Sequence, residues 1–118
     1  MQVVYHANYL VWCEIGRTDL IRRLGASYAE VEKQGVSLAV VDASLRYHAA
    51  ARYDDMIRVR TVLMDARSRS VTFGYTIENA ETGQRLVSAQ TTLASVNPDG
   101  KLVSMPEKLR KSLEAAIA

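Results

Sequence analysis

The chain has 118 residues, of which 48% are hydrophobic and 24% are charged, and its formal net charge is +2 at pH 7. A chain of this length and composition forms one domain around one core, as in an ordinary soluble globular protein. The small net charge gives no ground for nucleic acid binding, and no apolar run approaches the ~20 residues that cross a bilayer. The single cysteine, Cys13, excludes an internal disulfide, so we expect the reducing cytoplasm.

The first predicted element is a long helix close to the N-terminus. Apolar residues from Tyr9 to Leu24 recur with a period near 3.6, Asn8 is a suitable N-cap, and Gly25 is a suitable residue just beyond the end. Gly16 lies in the middle, where glycine costs about 1 kcal/mol relative to alanine. Its presence favours close packing of the helix against a sheet or a partner.

The remaining chain changes to a strand-like alternation. The capping box Ser27-Tyr28-Ala29-Glu30 first predicts a short helix running to Gly35. Four strands are then predicted at about residues 36–47, 57–63, 71–78 and 84–96, and Pro106 is expected at the first position of a C-terminal helix. A leading helix followed by a four-stranded antiparallel meander predicts an α+β fold. Its exposed sheet edges favour a homodimer through sheet pairing.

The segment VVYHANYL at residues 3–10 carries the most informative chemistry. It places Tyr5, His6 and Asn8 at the start of the first helix, where backbone N–H groups are unpaired and the dipole favours negative charge. Such a setting polarises a carbonyl and holds an oxyanion. Two interpretations stay open for the side chains: His6 acts as an acid or base or supplies only its backbone N–H, and Asn8 orients a water or caps the helix.

Carboxylates offer further candidates with structural alternatives. Glu14 lies two turns into the helix, where it is either a catalytic base or part of an ion pair with Arg17 or with a neighbouring subunit. Asp54 and Asp55 form an acidic pair, but aspartate is typical of a turn that leads into a strand. We therefore expect a structural role for this pair.

Sulfur and cationic side chains complete the candidates. Cys13 lies on the apolar face of the helix without a base at helical spacing, which indicates buried packing. The two histidines, His6 and His48, are far apart in the sequence and lack ligand spacing, so no metal site is predicted. Arg67 and Arg69 share a tight turn, where guanidinium groups suit phosphate or remain simply solvated.

Four sequence features together resemble the 4-hydroxybenzoyl-CoA thioesterase family, with the greatest likeness to its YbgC-like branch of acyl-CoA thioesterases. They are VVYHANYL, the phrase Trp12-x-Glu14-x-Gly16-Arg17, Ala51-Arg52-Tyr53-Asp54-Asp55 before a strand, and Arg67-Ser68-Arg69-Ser70 between strands. The resemblance spans essentially the whole chain. It implies the hotdog fold, in which an antiparallel sheet wraps a long helix. It also implies that subunits pair through their sheets, often into homotetramers, with active sites at the interface.

The resemblance further implies hydrolysis of acyl-coenzyme A without a metal or another cofactor. In that case the backbone N–H of His6 polarises the thioester carbonyl, while Tyr5 and Asn8 shape the pocket. Residues Arg67, Ser68, Arg69 and Ser70 would contact the nucleotide end of coenzyme A. Glu14 is a substitute base, because some hotdog thioesterases place their carboxylate on this helix.

One departure from the family pattern leaves an alternative open. Members of the family have Asp-x-x-Gly before Val-Val-Tyr-His, whereas Gln2 occupies the glycine position in this sequence. We therefore expect the catalytic aspartate and a first strand upstream of Met1. Without that aspartate, the chain would be an acyl-CoA-binding or scaffold protein. A dehydratase acting on hydroxyacyl thioesters is the weakest alternative, since no suitable acid–base pair is evident.

Overall fold

The computed structural model describes residues 6–23, 27–52 and 55–117 and, within them, all side chains except those of residues 6–8, 27, 28 and 30. The helices are α1 (His6–Arg23), α2 (Ser27–Lys33) and α3 (Glu107–Ala115). The strands are β1 (Ser37–Tyr47), β2 (Ile57–Ala66), β3 (Ser70–Asn79) and β4 (Arg85–Val96). The predicted α+β composition is confirmed.

The four strands form one antiparallel sheet in the order β1-β4-β3-β2. The predicted meander is therefore correct for β2, β3 and β4 but wrong for β1, which pairs with β4 instead of β2. The backbone N–H groups of His48 and Ala49 continue this attachment by donating to the carbonyl of Leu86. The chain then crosses to the opposite sheet edge, because the segment between β1 and β2 is too long for a tight hairpin.

One face of the sheet, named here the inner face, is covered by α1. Residues at alternate positions of the central strands are buried on it, as expected for a sheet with one packed face. Gly16 makes the closest approach: a Cβ added there would collide with the hydroxyl of Thr61 and lie 3.1 Å from Val59. The expected close packing is confirmed. The core contains Tyr9, Cys13, Leu63, Phe73, Tyr75, Ile77, Val87, Leu93, Leu109 and Leu113.

The boundaries of the predicted helices need correction at their starts. α1 begins at His6, so Asn8 lies in its first turn and the prediction of Asn8 as the N-cap is wrong. Apolar periodicity fixes which face is buried but not the residue at which a helix begins. Gly25 and the side chains of Ser27 and Glu30 lie outside the described residues, so the predicted C-terminal glycine and capping box stay predictions.

α3 closes the open end of the core on the same side as α1. Pro106 is its N-cap, with φ −52° and ψ 138°, and lies one residue before the first helical position. The fixed φ of proline suits both positions, which explains the offset of one residue from the prediction. Leu109 and Leu113, one helical turn apart, are the buried face of α3.

Candidate active site

The start of α1 forms one part of the candidate site. This 18-residue helix has no acidic side chain in its first turn, so no carboxylate of that turn caps its N–H groups. Its dipole adds partial positive charge at the same place. His6 is the first residue of α1 that the structure describes, and Asn8 is the third. Tyr5 lies outside the described residues, as do the side chains of His6 and Asn8, so their roles stay predictions.

An aromatic cluster fixes the start of α1 to the end of β1. The Tyr9 ring meets Trp12 and Tyr47 edge to face, with ring centroids 5.3 and 5.5 Å apart. Its buried hydroxyl accepts a hydrogen bond of 3.1 Å from the backbone N–H of Ala51. Sequence reasoning treated Tyr9 only as an apolar helix position, since a backbone partner so distant in the chain leaves no local signal. The cluster therefore ties the first turns of α1 to the end of β1 and to the segment that follows it.

A polar chain runs beneath the middle of α1. Arg17 donates a hydrogen bond of 3.1 Å to the hydroxyl of Tyr75, which shares a 2.7 Å hydrogen bond with Thr91. An ion pair between Glu14 and Arg17 is not among the ion pairs of the described residues, so Arg17 is not the partner of Glu14, and a pair with a neighbouring subunit stays a prediction. Arg17 reaches toward the sheet, where a buried tyrosine hydroxyl needs a partner, whereas Glu14 is exposed.

Glu14 lies on a different part of α1 from the helix start. Eight residues separate it from His6, which corresponds to about 12 Å along a helix axis. It borders an open groove of about 470 Å³ between the Glu14–Arg22 part of α1 and Val59 of β2. A general base must lie within hydrogen-bond reach of its proton. Glu14 therefore stays a candidate only for a thioester bound at the helix start of another subunit.

The predicted basic turn, Arg67–Ser70, connects β2 to β3 and is firmly anchored. Three backbone hydrogen bonds hold it: Arg67 N–H to Ser70 O, Ser95 N–H to Arg69 O, and Met105 N–H to Ser68 O, at 2.8, 2.9 and 2.7 Å. Its two arginine side chains remain exposed, and Arg67 donates to the carboxylate of Asp65 at 2.9 Å. A fixed turn with exposed guanidinium groups can receive an anion without reordering its backbone.

The two predicted parts of the site do not meet within one chain. Tyr47, beside the α1 start, lies in a row of paired residues with Val87, Ile77 and Val59. The Arg67–Ser70 turn follows Ala66, seven residues further along β2 from Val59. At ~3.3 Å per residue, the separation along the strands is about 23 Å. One chain therefore holds the helix start and the basic turn at opposite ends of its sheet.

The thiol of Cys13 is shielded inside the core. Only 1% of the residue is exposed, and burial raises its pKa to about 11, although the nearby positive charge of Arg17 lowers it in part. The predicted buried packing role is confirmed. A thiol with this pKa is almost entirely protonated near neutral pH and is a poor nucleophile.

Native protein is therefore expected to resist alkylation of Cys13 by iodoacetamide at pH 8 and to react fully once unfolded in urea. Burial favours the neutral form of the Cys13 thiol. The stabilisation that this thiol gives the folded protein is therefore fully present below the ordinary thiol pKa of 9.0 and is lost between pH 9 and 11. The difference in stability between the native protein and Cys13→Ala should shrink over that range. Urea titrations at several pH values measure it, and a constant difference would contradict burial as the cause.

The described part of the chain has neither a cluster of metal-ligating side chains nor a helix that could span a membrane. Residues 6–23, 27–52 and 55–117 contain no group of three or more His, Cys, Asp or Glu side chains placed to hold a metal ion. Among the helices that the structure describes, none is both long enough and apolar enough to cross a membrane.

Comparison with known proteins assigns the family. Residues 1–113 match the Thioesterase-like superfamily, so the chain belongs to that family. It is 44% identical over 79 residues to the putative acyl-CoA thioesterase YneP of Bacillus subtilis. The aligned residues cover 67% of this chain and 57% of YneP. It is 34% identical over 113 residues to the acyl-CoA thioester hydrolase YbgC of Escherichia coli, covering 96% of this chain and 81% of YbgC.

A solved structure agrees over nearly the whole molecule. The DHNA-CoA thioesterase of Staphylococcus aureus superposes with a TM-score of 0.86 at 30% identity, covering 98% of this chain and 81% of that protein. The hotdog fold expected from the sequence resemblance is thereby confirmed. The chain spans little more than half the length of YneP.

Proposed function

We propose that this protein is an acyl-CoA thioester hydrolase. The observation that carries the proposal is the start of α1, whose first turn contains no acidic side chain that could cap its N–H groups. The aromatic cluster of Tyr9, Trp12 and Tyr47 holds this start in place. Membership of the thioesterase family and the names of YneP and YbgC support the same reaction. We place it in the cytoplasm.

The proposed reaction adds water across the thioester bond. Water attacks the carbonyl carbon, and the carbonyl oxygen, accepting a hydrogen bond from the His6 N–H, becomes the oxyanion of a tetrahedral intermediate. The carbon–sulfur bond then breaks, leaving the free acid and the thiol of coenzyme A. Tyr5 and Asn8 line the acyl group. A carboxylate activates the water, and we assign that role to an aspartate upstream of Tyr5, with the partner subunit's Glu14 as the substitute.

A homodimer through β1 is proposed as the functional unit. Among the described residues β1 pairs only with β4, and most of its side chains are exposed. Val40 and Val41 are 50% and 62% exposed there. Unpaired edges of this length are normally covered. The outer edge of β2 is different, because Arg58 and Arg60 on it are engaged by Glu78, whose pKa they lower.

The dimer would supply the part of the site that a single chain separates. When two β1 strands pair antiparallel, the partner sheet is reversed, so its basic turn comes to the end that carries this chain's α1 start. Coenzyme A would then extend from the thioester at one subunit to the phosphate-binding turn of the other. Ser68 and Ser70 would add hydroxyl donors to the guanidinium groups of Arg67 and Arg69.

Two further features of the assembly are part of the proposal. The groove between α1 and the edge of β2, beside Ile15 with 61% of its surface exposed, has room for a further strand supplied from upstream of α1. The outer sheet face exposes Val62 and Met64 on either side of Gly74, and we propose that two dimers join there as a homotetramer. Light scattering coupled to size exclusion would give the mass.

Steady-state hydrolysis of acyl-CoA thioesters tests the reaction. Release of free thiol would be measured with short aliphatic, benzoyl, and 1,4-dihydroxy-2-naphthoyl thioesters of coenzyme A, with the 118-residue chain and with a form extended upstream. Turnover of at least one thioester by either form supports the hydrolase. Binding of coenzyme A by both forms without any turnover would favour the alternative acyl-CoA-binding protein.

The basic turn predicts a substrate-binding effect. Arg67→Ala/Arg69→Ala should raise KM for acyl-CoA about 10-fold at low salt with little change in kcat, since two charge-assisted contacts to exposed phosphates are lost. The increase should shrink in 0.5 M NaCl because salt screens such contacts. Asp65→Ala should lower KM slightly by releasing Arg67. Arg22→Ala/Arg85→Ala, two exposed arginines elsewhere, is the matched control.

A further inference from the structure

The backbone N–H and C=O groups of β1 point alternately toward β4 and away from it. A hydrogen bond just after the end of β1 shows which residues point toward β4. The N–H of His48 donates to the carbonyl of Leu86 on the β4 side. In an antiparallel pair, successive residues turn their N–H and C=O groups to opposite sides. Even-numbered residues from Asp42 to His48 therefore bond toward β4. Odd-numbered residues, Ala43 and Leu45, direct their groups to the edge of β1 that faces away from β4.

This alternation limits how a second copy can pair with the open edge. Only odd-numbered residues offer N–H and C=O groups there, so each must lie opposite an odd-numbered residue of the partner. In a two-fold antiparallel pair, the numbers of opposed residues then add up to the same even number throughout. Ser44 can lie on the two-fold axis, and Ala43 would then exchange hydrogen bonds with the partner's Leu45.

The charges of β1 select among these registers. The strand contains one carboxylate, Asp42, and one cation, Arg46, both exposed on the outer face of the sheet. A register centred on Ser44 places Asp42 opposite the partner's Arg46, and the two-fold axis repeats the pair. A register centred on Asp42 or Arg46 would place like charges opposite each other, which is destabilising.

Resting on the proposed homodimer, we infer that two copies of this chain pair through β1 in the register centred on Ser44, with Asp42 and Arg46 as the reciprocal ion pairs that fix it. The pairs Asp42–Arg46 and Ser44–Ser44 are non-hydrogen-bonded positions, at which side chains approach most closely. The strand is thus self-complementary in both its backbone donors and its charges.

The same register makes the partner part of the active-site wall. Counting back in twos from Tyr47 along the inner face leads to Val41, where a bulge between Val40 and Asp42 interrupts the alternation. Tyr47 lies opposite the partner's Val41 in this register. The partner's valine would cover the 45% of Tyr47 that is exposed and support the Tyr9 cluster at the α1 start.

A cysteine placed on the axis tests the register directly. In Ser44→Cys the two thiols face each other with Cα atoms about 4.5 Å apart, within the range that a disulfide needs. Mild oxidation should convert most of the protein to a covalent dimer on a non-reducing gel. Ser37→Cys, exposed on the same strand but far from the axis, should stay monomeric on the same gel. Native Cys13 is buried and adds no reactive thiol.

Charge reversal tests the ion pairs. Asp42→Arg or Arg46→Asp places like charges opposite each other twice, so the dimer dissociation constant should rise about 10- to 100-fold at low salt. The double variant Asp42→Arg/Arg46→Asp should return it to within about threefold of the native value. Glu81→Arg, in an exposed turn, is the control. Sedimentation velocity over a dilution series measures each constant.

The outcomes separate the register from the dimer itself. If the native protein is a dimer but Ser44→Cys does not cross-link and the double variant does not recover, the register is wrong and the dimer stands. If the native protein is a monomer at all concentrations, the proposed dimer fails together with the register. Cross-linking at Ser44 with recovery in the double variant establishes both.

Discussion

The variant His6→Pro is expected to lower kcat for acyl-CoA hydrolysis about 10²- to 10³-fold, since the proposed oxyanion donor is the N–H of this residue. Proline has no N–H, and the first helical position is the one at which proline is best tolerated. No hydrogen bond within the helix is lost, because N–H groups of the first turn have no partner inside the helix. Steady-state kinetics with the best thioester of the panel measures the effect.

The matched variant His6→Ala separates the backbone from the side chain. It keeps the N–H and removes the imidazole, so kcat should stay within about threefold of the native value if only the amide matters. A loss as large as that of His6→Pro would assign the catalysis to the imidazole as acid or base. Equal thermal unfolding temperatures for both variants and the native protein exclude a folding defect.

The sequence predicted the elements well because periodicity and turn residues act locally. Alternation located the strands, and Gly16 correctly indicated close contact with the sheet. The pairing of β1 with β4 could not be read in this way, because the choice between two sheet edges depends on the long crossover. The N-cap was also misplaced: Asn8 has the right propensity, but the helix begins two residues earlier.

In the candidate site, too, the sequence predicted the parts that local contacts build and missed those that distant contacts build. The α1 start and the basic turn were found from short motifs, each of which is built by neighbouring residues. The hydrogen bonds from Arg17 to Tyr75 and from Tyr75 to Thr91 join three separate elements and were missed. The sequence had instead suggested Glu14, the nearest acidic residue, as a partner of Arg17. Arg17 lies over the sheet and donates to the buried hydroxyl of Tyr75, instead of pairing with Glu14 on its own helix.

The variant Gly16→Val is expected to cost about 3 kcal/mol of unfolding free energy and to lower Tm by about 10 °C. A Cβ at this position already collides with the Thr61 hydroxyl, and the two γ-methyl groups of valine would also press on Val59. Neither neighbour can retreat freely, because both are on the inner face of β2 beneath the helix. Urea and thermal unfolding followed by circular dichroism measure the loss.

Two further variants show whether the loss comes from this contact. Thr18→Val adds the same side-chain type at an exposed position of α1 and should change stability by less than about 0.5 kcal/mol. Gly16→Ala should be destabilising alone but stabilising by up to about 1 kcal/mol in a Thr61→Ala background, where the gain in helix propensity remains and the hydroxyl is gone. Removing the Thr61 hydroxyl breaks no hydrogen bond in this double-mutant cycle, since the hydroxyl is buried without a hydrogen-bond partner in the described structure. Additive effects of the two substitutions would mean that α1 does not approach β2 as closely as described.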